Sequence, residues 1–380
     1  MDRNVLSLML RKLYSSEVHI AFNDKDVQLD ERFWVISGKN GPRWIVPQNS
    51  YYGHPILKDW YPYDLSSKLK WLIIRTAYRV GILGLLPGVN GLGVAGSLTH
   101  TWKHLGYSET QKLIPVIYIG TPGLTQKAVV SMVEMSNKKK CGVVKVPIGI
   151  DASKNILHEF EVLKKLSIEK PNLAPEPLYI NLNRGISVQS VVQGKLSAKK
   201  LSPSHLVWLK QLNVVGALTT VKDEAEKLIS DVNEVDCIKY ETKCLIKDVL
   251  KAIKNTEKIP VVVVHGDFTP WNIIINKKHI YPVDWEDTRL NYLPLYDLLH
   301  FYWIKIYLFN GSNVSILSSK FILECDPYLK YFNLTKELIS SIEKMYLCDQ
   351  IARRSNNKFD DQYALYLIKY LKKILYYNFI

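Results

Sequence analysis

The sequence predicts an α+β chain in which a β-rich part precedes a mostly helical one, and three observations carry that expectation. Between residues 113 and 146, apolar runs alternate with short polar turns, the pattern of consecutive strands. From Asp151 to Leu166, Ile156, Leu157, Phe160, Leu163 and Leu166 recur at helical spacing. Between Val261 and Val283, a fully apolar run is followed by two shorter ones around a polar turn, which reads as a strand and then a β-hairpin.

Taken in order, residues 1–112 read as an N-terminal extension with short strands at Arg32–Ser37 and Arg43–Pro47. Residues 66–81 (SSKLKWLIIRTAYRVG) read as a helix with Lys68, Arg75 and Arg79 on one face and Trp71, Ile74, Ala77 and Tyr78 on another. Such a helix either lies on an anionic membrane surface or covers a domain core. A glycine run, Gly91-Leu92-Gly93-Val94-Ala95-Gly96, has the GxGxxG form. The turn-like Leu85–Asn90 precedes it, and no acidic residue stands at the spacing a dinucleotide site needs, so it reads as a tightly turned connector. Strands are expected at Val116–Gly120, Ala128–Met135 and Gly142–Val146, then a helix capped by Asp151 or Ser153. Ser187–Gly194 reads as an extended segment ending at glycine. Helices are expected over His205–Val232 and Ile238–Asn255, and a closing core helix over Tyr363–Tyr377.

The 380 residues carry 50 Lys and Arg against 36 Asp and Glu, a formal charge of +14. The excess is spread, with 14 basic against 9 acidic residues in 1–112, 11 against 6 in 113–195, and 25 against 21 in 196–380. Nucleic-acid binders cluster their bases on one face, so nucleic acid is not expected as a partner. Five scattered cysteines without CxxC spacing point to reduced thiols and a cytoplasmic setting. No signal-peptide pattern opens the chain, and the uncharged part of Val80–Ser97 is too broken by glycine and proline for a membrane span.

The densest chemistry lies in VVVVHGDFTPWNIIINKKHIYPVDWE, residues 261–286. A hairpin with a four-residue turn, Asn276–His279, returns the chain on itself. Asn272, just before the first hairpin strand, then meets Asp284, just after the second, with Asp267 a few residues upstream. Two carboxylates and a carboxamide form a hard-oxygen set of the kind Mg2+ takes when phosphates and water complete its shell.

HGDFTPWN followed by VDWE resembles the catalytic segment of the aminoglycoside phosphotransferase and choline kinase group, the small-molecule branch of the protein-kinase-like fold. The resemblance implies that Asp267 is the catalytic base, that Asn272 and Asp284 hold metal ions, and that His265 packs beneath the loop. Asp-Trp-Glu stands where protein kinases carry Asp-Phe-Gly. The group also has a lysine on the third strand of the small lobe and a glutamate on the next helix. Lys145 occupies that strand, in Val-Val-Lys-Val, where an exposed strand face is the competing explanation. Glu159 resembles the pairing glutamate, with Glu161 as the competing candidate. The phosphate loop corresponds to Gly120-Thr121-Pro122-Gly123, which departs from GxGxxG, so Gly120 and Gly123 are its candidates. Asp297 resembles the helix aspartate that braces the catalytic loop, while a plain helix N-terminal charge would explain it equally.

The resemblance therefore implies a two-lobed protein-kinase-like fold behind an extension. Its parts are an extension over 1–112, a small lobe and hinge over 113–194, and a helical large lobe over 195–380. It implies an ATP- and Mg2+-dependent kinase acting on a small-molecule hydroxyl, with a sugar or cell-envelope precursor as the first guess for the acceptor. Two alternatives come from other classes. One is a catalytically silent, nucleotide-binding scaffold; the other is a membrane-associated interaction protein. Contact of residues 66–81 with the inner face of the membrane belongs to this set of expectations.

Overall fold

The computed structural model describes the chain apart from residues 1–2, 15–17, 23–28, 61, 63–64, 97–101, 198, 278, 310–317, 356–361 and 378–380. It divides into two compact units, residues 1–196 and 197–380.

The first unit runs α1 (Arg3–Leu13), β1 (His19–Ala21), β2 (Glu31–Gly38), β3 (Gly41–Pro47), α2 (Ser50–Asp59), α3 (Leu65–Arg79), β4 (Val89–Ala95), β5 (Leu113–Ile119), β6 (Lys127–Glu134), β7 (Lys140–Pro147), α4 (Ala152–Glu169), β8 (Pro177–Asn181), β9 (Ile186–Gln189) and the short β10 (Lys195–Leu196). Among the described residues, nine strands form one sheet in the order β1-β4-β2-β3-β5-β6-β7-β9-β8. The strands of residues 1–112 thus continue the sheet that begins at β5, through the pairs Trp44↔Tyr118 and Ile45↔Ile117. One core serves the whole sheet. Leu6, Met9, Leu10 and Leu13 of α1 are buried with Ile45, Ile117, Val130 and Val144. The α2 and α3 pair is pinned by Tyr78, whose hydroxyl donates to the Pro47 carbonyl at 2.7 Å. Gly53 permits this approach, because a Cβ there would lie 2.3 Å from the Tyr78 oxygen.

Two expectations change here. The GxGxxG run is not a connector, for Gly91 to Ala95 lie in β4, paired with β1 and β2. Its glycines suit a close-packed strand, since a Cβ on Gly93 would sit 2.2 Å from Leu29. The residue closing the Val80–Ser97 stretch lies outside the described residues. At the start of α4, Asp151 is the capping residue by position but makes no side-chain cap bond.

The second unit runs α5 (Pro203–Lys210), β11 (Asn213–Thr219), α6 (Val221–Glu234), α7 (Tyr240–Lys251), β12 (Ile259–Val264), β13 (Ile273–Asn276), β14 (His279–Pro282), β15 (Arg289–Tyr292), α8 (Tyr296–Phe309), α9 (Ser319–Tyr331), α10 (Lys336–Ser355) and α11 (Gln362–Tyr377). A sheet β11-β12-β15 and the hairpin β13–β14 lie among these helices. The single helix expected over His205–Val232 is instead α5, a strand and α6. Val214 and Val215 favour extended backbone, Gly216 takes φ +80°, and Thr220 starts α6 afresh by accepting the Asp223 N–H at 3.0 Å. The strand is needed because β12 would otherwise lack a partner on that side; Thr219 pairs with Ile259. In the hairpin, Asn276 pairs with His279, so the turn is tighter than the expected four residues. Lys277 takes φ +55° there, and residue 278 lies outside the described residues. The closing helix α11 buries Tyr363, Leu367, Tyr370 and Leu371, as a core helix should. No described helix is long and apolar enough to cross a membrane.

A fragment starting at Lys112 would strip β1 to β4 and leave the apolar edge of β5 without a partner. It is expected to aggregate at concentrations where the full chain stays dispersed, as read by light scattering. A monodisperse, folded fragment would contradict the continuous sheet.

Candidate active site

The strand β12 is buried along its length and delivers His265-Gly266-Asp267 to the end of the sheet. The turn that follows is held from a distant part of the chain. Asp297, in the first turn of α8, accepts the His265 N–H at 2.8 Å on one carboxylate oxygen and the Gly266 N–H at 3.0 Å on the other. Burial pushes the Asp297 carboxyl up to about 6, and the two N–H bonds pull against that rise. Leu295, two residues earlier, has φ +72°, an uncommon conformation for leucine that turns the chain into α8 at this point. Gly266 takes φ +87°, and a Cβ on it would lie 2.2 Å from the Asp287 carbonyl oxygen. The catalytic-loop candidate and the Asp-Trp-Glu turn therefore touch backbone to backbone.

Asp267 is engaged through both oxygens. Asn272 Nδ2 donates to Oδ2 at 2.7 Å and to the Asp267 carbonyl at 3.1 Å. His300 Nε2 lies 3.0 Å from Oδ1. Burial raises the Asp267 pKa, but the His300 hydrogen bond and charge outweigh it, so the group sits below the ordinary carboxylate value. The charge of Asp284 acts in the opposite direction. His300 is oriented in turn by Tyr346, whose hydroxyl is 3.1 Å from Nδ1 and 3.2 Å from the Tyr363 hydroxyl.

The hairpin sets the remaining pair. The Val283 N–H donates to the Asn272 carbonyl at 2.8 Å, which carries the β13–β14 pairing one step past Ile273↔Pro282, to the residue before Asp284. Asp284 has φ +72°, a conformation that Asp tolerates better than most residues. Trp285 is fully buried, donates Nε1–H to the Pro282 carbonyl at 2.9 Å and stands 4.6 Å from the His265 ring. His265 accepts the Asp267 N–H on Nδ1 at 3.3 Å and so donates from Nε2 to the Val283 carbonyl at 3.2 Å. Phe268 stacks on Trp208 at 5.6 Å. These contacts make residues 265–288 one packed block.

Within this unit a cavity of about 340 Å³ is lined by Leu228 and Val232 of α6, Arg289 and Tyr292 of β15, and Asp349 and Arg353 of α10. Arg289 and Tyr296 both bind Asp349, and Arg353 Nε lies 3.4 Å from it. Arg353 Nη1 also lies 3.6 Å from Asp287, which links the cavity wall to the Asp-Trp-Glu turn.

The first unit holds the other candidates. Lys145 lies in β7 between Val129 of β6 and Ser187 of β9. At 3% exposure it is buried, so an exposed strand face does not explain it. Its ammonium lies 2.6 and 2.5 Å from the two oxygens of Glu159, itself 1% exposed. Glu161 faces solvent, so geometry selects Glu159. Gly120 donates to the Lys127 carbonyl at 2.8 Å, and a Cβ there would meet that same oxygen at 2.8 Å. Gly123 has open space around its Cβ position, and nothing in the structure requires glycine there. Gln126 braces the loop by donating its side-chain amide to the Gly120 carbonyl at 3.0 Å.

The second unit thus gathers His265, Asp267, Asn272, Asp284 and Asp297 into one block, and the first pairs Lys145 with Glu159. Two residues escaped the sequence reading, His300 and Gln126. His300 had a signal, being a polar residue three positions after Asp297 inside the apolar run LLHFYW. As to metal, no group of three or more His, Cys, Asp or Glu among the described residues forms a ready cage. Mg2+ needs none, and Asn272, with its Nδ2 committed to Asp267, is oriented to offer Oδ1 as a hard ligand beside Asp284. The donor set fits that ion.

Gly266→Ala is expected to cost about 2 kcal/mol or more, because the Asp287 backbone must shift and φ is unfavourable. Urea unfolding of the full chain tests this, and wild-type stability in the variant would refute it. Burial holds His265 down at about 4 from 6.5. The unfolded chain therefore takes up that proton first, so the stability His265 lends is present above 6.5 and is lost as pH falls towards 4. Its ring nitrogen NMR shifts should stay constant between about pH 8 and pH 5 and show Nε2 protonated; a midpoint near the ordinary histidine value would contradict the buried neutral ring.

The family model described as "Phosphotransferase enzyme family" matches residues 224–311, a segment holding every second-unit candidate above. No curated protein sequence matches the chain. Among solved structures, the chain is similar to a thermostable mutant of aminoglycoside phosphotransferase APH(4)-Ia, with 12% identity and TM-score 0.49 over 69% of this chain and 94% of the other. It is similar to a putative fructosamine-3-kinase from Thermobifida fusca, with 12% identity and TM-score 0.47 over 70% and 94%. It is also similar to choline kinase LicA from Streptococcus pneumoniae, with 14% identity and TM-score 0.44 over 69% and 93%. The segment that carries the candidate active site, residues 224–311, is thus the part of this α+β chain that is similar to the phosphotransferase enzyme family.

Proposed function

We propose that the chain transfers the γ-phosphoryl group of ATP to a hydroxyl of a small molecule, with Mg2+ as the metal. The observation that carries this reading is the doubly held Asp267, fixed by Asn272 on one oxygen and His300 on the other. Its lowered pKa keeps it ionised at neutral pH, so it is a weak base. Its work is to accept the hydrogen bond of the acceptor hydroxyl, aim that oxygen, and take the proton late as the bond to phosphorus forms.

Asn272 and Asp284 are assigned to the metal, which when bound neutralises charge on the phosphate oxygens. Lys145 is assigned to the nucleotide phosphates. Glu159 limits its rotamers, so that little entropy is lost when phosphate binds. Gly120 and Gly123 are assigned to the loop over the nucleotide. His265 and Asp297 shape the turn without touching substrate. A sugar or cell-envelope precursor remains the first candidate for the acceptor, supported by the basic α3. A cytoplasmic setting is supported by the five cysteines, none of which forms a disulfide in the structure. The silent-scaffold alternative is disfavoured by the ordered Lys145–Glu159 pair and the intact second-unit set, since a chain without turnover has no need of Asp267 in this arrangement.

Wild type and Asp267→Asn, each incubated with Mg·ATP and a metabolite extract, test the reading by mass spectrometry. A product heavier by one phosphoryl group is expected from wild type alone, with the variant reduced roughly a hundredfold or more. Asp284→Asn tolerates the positive φ and should keep wild-type stability while losing turnover to a similar degree, roughly a hundredfold. Undiminished turnover in Asp284→Asn would remove that residue from the metal site.

A further inference from the structure

The helix α3 is apolar on two opposite faces. One face is the core-covering side: Trp71, Ala77 and Tyr78 are 5%, 5% and 1% exposed. It is anchored by Trp71 Nε1, which donates to the Trp60 carbonyl at 2.8 Å, as well as by Tyr78. A surface helix needs only one such stripe. The other face nevertheless presents Leu69, Leu72 and Ile73, at 62%, 49% and 53% exposure, and Val80 at 61% continues the same line. The turn beyond adds Ile82 at 49% and Leu85 at 82%. Exposed apolar residues gathered along one helix face and rimmed by charge are the pattern of a contact surface.

The charges beside it say with what. At helical spacing, Lys68, Arg75 and Arg79 fall along one margin of the stripe and Lys70 along the other. No Asp or Glu occurs from Leu65 to Ser108. The neighbouring helix feels the same field. His54 on α2 has a pKa lowered first by burial and then by Arg79, Arg75 and Lys58. A second copy of this chain docked by two-fold symmetry would set these bases against each other. An anionic lipid surface satisfies both the apolar stripe and its basic margins.

We propose that α3 and the turn after it form an interfacial anchor that lies on an anionic bilayer, with Leu69, Leu72, Ile73, Val80, Ile82 and Leu85 at the boundary of headgroups and acyl chains. The anchor does not depend on the phosphotransferase reading, and its test involves no turnover.

The full chain is floated with phosphatidylcholine vesicles and with the same vesicles enriched in phosphatidylglycerol. Wild type should rise with the anionic vesicles and not the neutral ones, and rising salt should release it. Leu69→Ser/Leu72→Ser and Lys68→Glu/Arg79→Glu should each lower partition at least about tenfold, because each removes one of the two attractions. Unchanged circular dichroism and thermal midpoint would confirm that these exposed changes leave the fold alone. Wild type that stays with the aqueous layer, or double variants that float like wild type, would overturn the anchor. So would a wild-type dimer in sedimentation that Leu69→Ser/Leu72→Ser converts to monomer without any vesicle effect, since the stripe would then belong to a second copy.

Discussion

Two backbone N–H groups on one buried carboxylate hold the second unit's chemistry in place. Asp297 binds the His265 and Gly266 amides at the start of α8. The helix that brings this carboxylate also brings His300, one turn later, to Asp267. One rigid element therefore fixes both the backbone of the turn and the orientation of its central side chain. Each N–H bond to a charged group contributes about 1.5–3 kcal/mol, against the desolvation that lifts the Asp297 pKa to about 6. The local strain at Leu295, Asp284 and Gly266 is tolerated because this brace and the buried Trp285 over-determine the backbone there.

The first unit relies on a different kind of constraint. Lys145 and Glu159 are both nearly inaccessible, so each would be costly without the other. Such a pair adds little net stability over an apolar one of the same size. What it gives is a cation in a single, preset position on a central strand. The two units thus solve the same problem, placing charge inside protein, by backbone amides in one and by a counter-ion in the other.

Much of this was legible in the order of residues. The hairpin around Asn272 and Asp284 followed from two apolar runs and a polar turn, and Lys145 stood out as a charge inside an apolar strand. What escaped had physical reasons. The strand Asn213–Thr219 is short and lies between two helical runs, so the extended preference of Val214 and Val215 is easily overlooked; its pairing with β12, known only from the fold, decides. His300 lies in α8, where ten of the residues from Tyr296 to Ile306 are buried, so the helix shows no polar face against which a functional histidine would stand out. Asp297 was ambiguous between loop brace and helix-end charge, and it does both. The GxGxxG run misled in the other direction: its glycines answer the tight packing of β4 against Leu29.

The pairing of β3 with β5 also bears on how the chain is made. Some 74 positions of sequence separate Trp44 from its partner Tyr118, and α2, α3 and β4 lie in the interval. During synthesis, β1 to β4 leave the ribosome before β5, β6 and β7. The apolar strands that follow then emerge when the segment that pairs with them has already been made. A nascent meander of such strands without that segment would offer its open edge to other chains. In the finished fold β3 goes on covering the edge of β5, so the N-terminal strands remain part of what keeps that sheet closed on this side.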